Sequence, residues 1–545
     1  MDSHPPCFTL SSLFENSFRS YADELAICDV NGSSYTYAEL EKAVKDLQEL
    51  LRQQGISSGD KVALLGASSS HWVVSYLAIT TMSAVAVPIL PDFTREAIGN
   101  IVEHAECRIV ICADKFKVLF PKKYNAQLDG LISLESLALE WQNDDVPAPG
   151  VTNEPREEDL AAIIYTSGTT GSSKGVMLTH KNIAHNAWAG TEIISTGPGD
   201  RMLSVLPLAH TFECTLGMVL PLMNGASVHY LDKRPTAAVL LPALEQVRPT
   251  LMLTVPLIIE KIFKLRILPK INESAVTRFL YKLRPTRKLI HKKAGKKLYQ
   301  MFGGKLRFFG VGGAPLAPDV EKFLKDSHFP YAIGYGLTET SPLAAGSHPR
   351  DTRLRAIGPA APDIQIKIEE REGSSNGEVL IKGPNVMKGY YKDPENTAAV
   401  LSEDGWLKTG DLGYFSEDGY LYVKGRLKNM LLGPSGENIY PEEIEAVLGR
   451  FEAVLESVVT QRVDSLVARV HVNREVLEEK YNQLKDREKQ FEAYVQEQLE
   501  DIRKSVNKRV ASFARIHEII EELEPFEKTP TNKIKRYLYC LATQG

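Results

Sequence analysis

The sequence predicts an α/β protein with a large layered N-terminal domain and a smaller C-terminal domain. Its first 155 residues alternate the two patterns that define this class. Residues 38–53 place Leu40, Val44 and Leu47 on one face of an amphipathic helix. Short buried strands are predicted at Lys61 to Leu65, Ala84 to Ile89 and Arg108 to Cys112.

Three later segments each join an apolar strand to a loop rich in glycine or hydroxyl groups. The strands are predicted at Leu160 to Tyr165, Leu306 to Val311 and Tyr331 to Ile333. The loops that follow are 166–175, 312–315 and 334–340. Because ligands bind at the carboxyl ends of strands in open α/β sheets, three such loops predict one shared pocket.

Composition and charge exclude several classes of protein. The 545 residues are 43% hydrophobic and 24% charged, which excludes a disordered or fibrous chain. A net charge of −5 argues against a nucleic-acid binder. Six cysteines without metal or disulfide spacing favour a reducing compartment.

Neither a signal peptide nor a membrane span is predicted. Residues 1–6 are polar, and no basic segment precedes an apolar one. The uncharged stretch from Val73 to Leu90 is interrupted by Ser, Thr and Pro, so we expect a buried helix that runs into a buried strand. These features predict a cytoplasmic protein, with peripheral contact to the inner face of a membrane left open.

The segment 261–305, here called the basic segment, is the feature that leaves this contact open. It contains fourteen Lys or Arg residues against one acidic residue, Glu273. Phe263, Phe279 and Leu283 lie among the charges. A solvated helical face, docking to an anionic membrane and attraction of anionic substrates are the alternatives, and nucleic acid is disfavoured.

The residue pattern changes after Gly389, and we predict a domain boundary near Gly425, with one domain over residues 1–425 and a second over 426–545. A hairpin turning at Asp418-Gly419 precedes the boundary, and a helix starting at Pro441 follows it. Apolar residues from Leu477 to Val510 recur at spacings of three, four and seven. They predict one long amphipathic helix or a bent helical pair, with packing onto its own domain favoured over a partner coiled coil.

The loop from Thr166 to Gly175 carries the strongest chemical signal. Its glycines allow the backbone to approach a ligand, its hydroxyl and amide groups can donate to phosphate oxygens, and Lys174 adds a positive charge. The spacing differs from a P-loop nucleoside triphosphatase, because Ser173 stands where a second glycine is needed and Gly175 where Ser or Thr is needed. A kinase or P-loop ATPase is therefore excluded.

Six motifs in order resemble the adenylate-forming superfamily, which includes acyl-CoA synthetases, luciferases and the adenylation domains of peptide synthetases. They are Tyr165 to Gly175, Pro207 to Glu213, Gly334 to Glu339, Thr409-Gly410-Asp411, Gly425 to Lys428 and Pro530 to Arg536. Within the superfamily, segments 206–213, 435–441 and 526–530 look most like long-chain fatty acyl-CoA synthetases.

This resemblance implies a two-step ligase with a large N-terminal domain of sheets sandwiched by helices, a small β subdomain and a smaller mobile α+β C-terminal domain. A fatty acid carboxylate attacks the α-phosphorus of ATP and forms acyl-AMP and pyrophosphate. A thiol, from CoA or from the phosphopantetheine of a carrier protein, then forms the thioester and releases AMP. Because the first step brings two anions together, cations and amide donors must stabilise its transition state.

The resemblance also implies a role for each residue that matches a motif. The catalytic candidates are Lys533, Glu339, Thr338 and His210, of which His210 positions the substrate and is not a general base. The magnesium candidates are Glu339 and Thr166. The nucleotide-binding candidates are Thr166, Ser167, Gly168, Thr169, Thr170, Gly171, Lys174, Gly312, Gly313, Ala314, Tyr335, Gly336, Asp411 and Arg426.

Within this set, Lys533 contacts both carboxylate and ATP oxygens, Tyr335 stacks on adenine, and Asp411 accepts the ribose hydroxyls. Lys428 is the implied hinge. The loop after the hinge, residues 432–437, lacks the lysine that several relatives use in the second step, so the thiol acceptor stays open.

Three functions fit this reading. The leading one is an ATP-dependent long-chain fatty acid:CoA ligase. The second keeps the adenylation step but passes the acyl group to an acyl-carrier protein. The third is a non-catalytic, membrane-associated binding protein of the same fold, against which the joint presence of Lys533, Glu339, Asp411 and Arg426 argues.

Overall fold

Two eight-stranded sheets form the framework of the larger part of the chain. The computed structural model describes residues 5, 7–124, 127–144, 148–166, 174–231, 233–371, 374–432, 438–462, 465–482, 490–529 and 533–540. Within these ranges no helix is both long enough and apolar enough to cross a bilayer.

The first sheet has the strand order β15-β14-β13-β12-β10-β11-β1-β2 and is parallel except at its two edge strands. Its strands are β1 (Leu25–Asp29), β2 (Ser34–Thr36), β10 (Arg201–Ser204), β11 (Ser227–Tyr230), β12 (Leu251–Thr254), β13 (Phe308–Val311), β14 (Tyr331–Gly336) and β15 (Leu343–Gly346).

The second sheet has the order β18-β9-β8-β4-β3-β5-β6-β7, with a parallel centre from β8 to β6. Its strands are β3 (Lys61–Leu65), β4 (Val85–Ile89), β5 (Cys107–Cys112), β6 (Gly130–Ser133), β7 (Leu139–Gln142), β8 (Leu160–Thr166), β9 (Lys174–Thr179) and β18 (Gly389–Tyr390). The strands predicted at 61–65, 84–89 and 108–112 are confirmed within one residue.

Helices cover both sheets, as the near-continuous apolar strands require. They are α1 (Leu10–Ser20), α2 (Tyr37–Gln53), α3 (Ser70–Thr81), α4 (Arg95–His104), α5 (His180–Ile193), α6 (Leu220–Met223), α7 (Ala237–Val247), α8 (Pro256–Ile262), α9 (Leu268–Asn272), α10 (Ala275–Lys282), α11 (Arg284–Met301), α12 (Pro318–Asp326) and α13 (Pro394–Val400). The stretch 73–90 is the expected buried helix and strand, α3 followed by β4.

Residues 365–426 contribute a small antiparallel sheet with the strand order β16-β17-β19-β20. It consists of β16 (Gln365–Arg371), β17 (Ser374–Lys382), β19 (Leu407–Phe415) and β20 (Leu421–Arg426). The hairpin predicted at Asp418-Gly419 is present, because Tyr414 pairs with Tyr422 across β19 and β20.

The C-terminal part has a separate apolar core drawn from residues 439–516. It contains the strands β21 (Leu431–Leu432), β22 (Asn438–Ile439), β23 (Val454–Arg462), β24 (Ser465–Val472) and β25 (Ile516–Glu522), and the helices α14 (Pro441–Leu448), α15 (Arg474–Asn482) and α16 (Phe491–Asn507). The predicted α14 is confirmed.

Of the two alternatives for the apolar repeat after Leu477, the bent helical pair is correct. Leu477 lies on α15, and Val495, Leu499, Ile502 and Val506 lie on α16, all buried in this core. The repeat therefore packs onto its own domain, as expected. The strands β23, β24 and β25 on either side of the pair were not predicted.

Candidate functional site

The carboxyl ends of β13 and β14 form one wall of a cleft. The two strands are parallel neighbours with Val311 opposite Ile333, so the loops after them meet at one edge of the sheet. The predicted loop at Gly334 is wrong in its boundary, because β14 continues through Gly336 by pairing with β15. Gly336 suits this crossing, since a Cβ there would lie 1.6 Å from the Pro342 carbonyl oxygen.

The loop after β13 also packs closely against neighbouring residues, as β14 does at Gly336. A Cβ on Gly312 would lie 3.0 Å from the ring of Phe212, and Gly313 has a φ of +82° that favours glycine. Ala314 continues this turn. The close-packed wall expected over 312–314 therefore has backbone against an aromatic ring at Gly312, whose amide donates to the Thr254 carbonyl over 3.1 Å.

Asp411 lies at the centre of the cleft and is almost completely buried. The hydroxyl of Tyr335 donates to its Oδ2 over 2.7 Å, and Arg426 Nε lies 2.7 Å from its Oδ1. Asp411 and Arg426 face each other because they are paired across β19 and β20. Burial raises the pKa of the Asp411 carboxyl, while Arg426, Tyr335 and Lys533 act in the opposite direction.

The C-terminal tail brings Lys533 to this same cleft. Burial and the charge of Arg426 lower the pKa of the Lys533 ammonium, whereas Asp411 and Glu339 act to raise it. Lys533 as a residue is exposed to water, yet protein surrounds its ammonium closely enough to lower its pKa. Asp411 and Glu339 are far away in sequence, so only the fold brings these charges together.

The three basic neighbours of Lys533 are all paired elsewhere. Arg536 makes a two-pronged ion pair with Glu445 at 2.7 and 2.8 Å, Lys528 pairs with Glu456, and Lys535 lies 3.3 Å from Glu527. The Thr529 amide donates to the Lys533 carbonyl over 2.8 Å and fixes the turn. Residues 530–532 lie outside the described ranges. Lys533 is therefore distinct from its basic surroundings.

His210 lies near enough to the Lys533 ammonium to be affected by its charge. Burial and the positive charge of Lys533 lower the pKa of His210 to about 4. The imidazole is consequently neutral at pH 7.

Glu339 lies in a short turn, Thr338–Thr340, directly after β14. Its Oε1 accepts a hydrogen bond from the Tyr390 hydroxyl over 2.9 Å. Tyr390 was not among the predicted site residues, because a tyrosine after Gly389 belongs to no quoted motif. Its role becomes visible only when β18 pairs with β9 and places it opposite the β14 turn.

The ends of the predicted phosphate loop reach the same place. Residues 167–173, which include Ser167, Gly168, Thr169, Thr170 and Gly171, lie outside the described ranges. Thr166 and Lys174 face each other across the antiparallel strands β8 and β9. Lys174 Nζ lies 2.7 Å from Asn396 Oδ1 and 4.8 Å from the centre of the Tyr390 ring, which connects the loop to Glu339.

The predicted hinge lies where the small sheet ends. Lys428 is exposed in a short turn, Leu427–Asn429, directly after β20. Two contacts bridge this turn to α14: Asn429 Nδ2 lies 2.6 Å from Glu442 Oε1, and Lys424 Nζ lies 3.0 Å from Glu443 Oε1. Both use exposed or partly exposed side chains, so they hold the C-terminal part only lightly. Residues 433–437 lie outside the described ranges.

Comparison with known proteins agrees with this geometry. Residues 14–391 match the family described as AMP-binding enzyme. The chain is 28% identical to long chain acyl-CoA synthetase 7, peroxisomal, of Arabidopsis thaliana, over 98% of this chain and 85% of that protein. It is 32% identical to long-chain-fatty-acid–CoA ligase 1 of Cavia porcellus, over 76% of this chain and 66% of that protein.

A solved structure supports the fold alone. The anthranilate CoA ligase AuaEII, in complex with anthranoyl-AMP, superposes with a TM-score of 0.79 at 21% identity, over 98% of this chain and 97% of that one. The chain thus belongs to the AMP-binding enzyme family, and its resemblance to adenylate-forming enzymes is confirmed.

One buried acid of the motifs has no role in the cleft as described. Glu213 lies in the first turn of a wide-turn helical segment, Phe212–Val219, and is completely buried. Neither of its oxygens has a hydrogen-bond partner of normal geometry among the described residues. Burial raises the pKa of Glu213 to about 8. The folded protein therefore keeps this carboxyl protonated where the unfolded chain ionises it.

This shift predicts a pH-dependent cost to stability. Between the ordinary pKa of 4.5 and about 8, rising pH removes the proton from unfolded Glu213 first, so wild-type stability falls over that window. Glu213→Gln has the same shape but no titrating proton. We expect its melting temperature to gain on wild type progressively from pH 5 to pH 8, measured by thermal unfolding in matched buffers. A constant difference across that range would contradict the buried, protonated state.

Proposed function

We propose that this protein activates a long-chain fatty acid with ATP to acyl-AMP and transfers the acyl group to CoA, with release of AMP and pyrophosphate. The observation that carries the proposal is the position of Lys533. Its three basic neighbours are paired with Glu445, Glu456 and Glu527, whereas Lys533 shares the cleft of Asp411, Arg426 and Glu339. A surface lysine in a basic tail would have no reason to differ from its neighbours.

In the first step the fatty acid carboxylate attacks the α-phosphorus of ATP, and pyrophosphate leaves. Lys533 acts as a point charge between the carboxylate and the phosphate oxygens, which reduces the repulsion of two anions. Thr338 donates its hydroxyl to the α-phosphate. His210 positions the fatty acid carboxylate, and its low pKa keeps it from competing for that carboxylate as a second cation.

The same cleft holds the nucleoside. Asp411 accepts from the ribose hydroxyls with lone pairs that Tyr335 and Arg426 leave free, since each carboxylate oxygen accepts more than one bond. Arg426 adds a ribose or phosphate contact. Tyr335, Gly336 and the 312–314 wall enclose adenine, while the loop 166–174 encloses the β- and γ-phosphates.

Magnesium fits this donor set. No group of three or more His, Cys, Asp or Glu residues within the described ranges is arranged to hold a metal ion, so a protein cage is absent there. A single carboxylate, Glu339, oriented by Tyr390, suits a hard cation that takes its other ligands from phosphates and water. Thr166 supplies a hydroxyl nearby. When bound, the ion neutralises charge on the phosphates.

For the second step, we assign residues 1–425 to the adenylation domain and 426–545 to a mobile lid. The separate apolar core over 439–516 supports this division. Rotation about Lys428 withdraws Lys533 and admits the thiol. The names of the sequence relatives favour CoA as acceptor and a long acyl chain as substrate, and a carrier-protein acceptor is the alternative outcome of the experiment below.

Lys533→Ala should reduce carboxylate-dependent exchange of pyrophosphate into ATP by about 10²–10³-fold, because one charge that stabilises the transition state is lost. Thioester formation from supplied acyl-AMP should change far less. Lys535→Ala is the matched control, since Lys535 is a lysine of the same tail that pairs with Glu527. Undiminished exchange in Lys533→Ala would refute the assignment.

The pH dependence of wild-type exchange gives a separate prediction. Exchange should fall at alkaline pH with an apparent pKa below the ordinary lysine value of 10.5, because Lys533 loses its charge there.

Lys428→Pro should leave pyrophosphate exchange near wild type and abolish thioester formation, because proline fixes φ at the hinge. Lys428→Ala, which removes the same charge but keeps the backbone free, should support both steps. Both rates are measured with one acid and saturating CoA. Equal loss of both steps in the proline variant would contradict the hinge.

A panel of acids from acetate to oleate, followed by pyrophosphate release, should give its highest kcat/KM with the long-chain acids. Parallel reactions with CoA and with a holo acyl-carrier protein should show product with CoA. A maximum at short or aromatic acids would overturn the long-chain assignment and leave adenylation intact. Product with the carrier protein alone would transfer the second step to that acceptor.

A further inference from the structure

The basic segment, residues 261–305, folds into helices whose inner side is firmly attached. The Tyr281 hydroxyl on α10 lies 3.0 Å from His291 Nε2 on α11, and His291 Nδ1 lies 2.9 Å from Asp326 Oδ2 on α12. Phe263 and Phe323 contact each other with ring centres 5.1 Å apart. The segment is therefore packed onto the N-terminal domain through its inner side, and the opposite, outer side of its helices forms part of the protein surface.

That outer side is apolar as well as basic. Helix α10 has no buried residue, and Val276, Phe279 and Leu283 follow the spacing of one helical face, away from Tyr281. Together with Leu265 and Leu289, these side chains are exposed to water; for Leu265, Val276, Phe279 and Leu289 the exposed fraction is between 63% and 68%. Large apolar side chains grouped at this exposure mark an interaction surface.

The cations of the segment have no carboxylate partner among the described residues, although Lys264 Nζ lies 3.4 Å from the Val454 carbonyl oxygen. Twelve of its fourteen Lys and Arg residues are exposed, and none of the fourteen forms an ion pair with any described part of the chain. Elsewhere in the protein, exposed lysines such as Lys42 and Lys392 pair with nearby carboxylates. Unpaired cations around an exposed apolar face are complementary to an anionic surface with an apolar interior.

We propose that α10 and the outer face of α11 dock on an anionic lipid membrane, with Val276, Phe279, Leu283 and Leu289 inserted among the acyl chains and the surrounding lysines and arginines at the phosphate groups. The occupant is a bilayer, because one surface then satisfies both the charges and the apolar side chains. A second copy of this chain would bring like charges together.

The basic segment follows a residue of the candidate site in the chain. Val255, which precedes α8, lies beside Gly313 of the adenine wall, with its Cγ1 3.7 Å from the position of a Cβ there. From Val255 the chain continues through α8 into the basic segment, which carries the docking face on α10 and α11. Resting on the proposed function, this arrangement lets the enzyme take its fatty acid directly from the bilayer, where long-chain acids partition.

Binding of the full-length protein to vesicles of phosphatidylcholine alone and of phosphatidylcholine with phosphatidylglycerol tests the proposal, by co-sedimentation without substrate. We expect binding only with phosphatidylglycerol, weakening as salt rises. Phe279→Ser with Leu289→Ser should weaken it at least about tenfold. Lys288→Gln, Lys292→Gln and Lys293→Gln together should weaken it about fivefold per charge. The control, Val118→Ser with Leu523→Ser, changes side chains of 68% and 67% exposure elsewhere and should bind as wild type.

Equal binding by all variants, binding to phosphatidylcholine alone, or no binding would overturn the proposal. So would sedimentation of free wild-type protein as a dimer that Phe279→Ser with Leu289→Ser converts to a monomer, since a second copy would then cover the face. Pyrophosphate exchange with the best acid of the panel described above is measured for wild type and for each variant. If wild-type protein binds vesicles but shows no pyrophosphate exchange, the ligase function is refuted and the docking face stands. If it shows exchange but does not bind vesicles, only the docking is refuted.

Discussion

The buried charge of Asp411 is the constraint on which the cleft depends. A carboxylate removed from water is costly unless cations and donors surround it. Here the surrounding groups come from three places: Tyr335 from β14, Arg426 from β20 and Lys533 from the C-terminal tail. The charge of one side chain is therefore stabilised jointly by the first large sheet, the small sheet and the C-terminal tail. In the proposed function, the nucleotide binds at a site whose charges are already compensated.

Local sequence was informative wherever one residue pattern decides one element. The strands at 61–65 and 84–89, the hairpin at Asp418-Gly419 and the start of α14 at Pro441 follow from apolar runs, turn chemistry and helix-capping rules. Pairing between distant strands is not visible in this way. The end of β14 was misplaced because β15, a later strand, extends it through Gly336. Likewise β23 and β24 were not predicted, because the helical spacing of apolar residues after Leu477 was the strongest pattern in that part of the sequence.

The candidate site shows the same difference between residues in local motifs and residues placed by pairing of distant strands. Ordered motifs predict Lys533, Asp411, Arg426, Glu339 and His210 as site residues, because each stands in a short, distinctive string. Tyr390 lies in no such string and reaches Glu339 only through the pairing of β18 with β9. The sequence also could not separate Lys533 from Lys528, Lys535 and Arg536, since the acidic partners of those three lie up to 91 residues away.

The two-pronged pair between Arg536 and Glu445 ties the tail to helix α14 three residues after Lys533. So short a tether cannot extend far, and Lys533 must travel wherever α14 travels. In the proposed mechanism, a lid that turns to admit the thiol thereby carries its own ammonium out of reach of the anhydride. The same proposal implies that geometry blocks reversal to ATP while the acyl group is exposed to returning pyrophosphate, and that the Arg536 guanidinium helps to set the order of the two half-reactions.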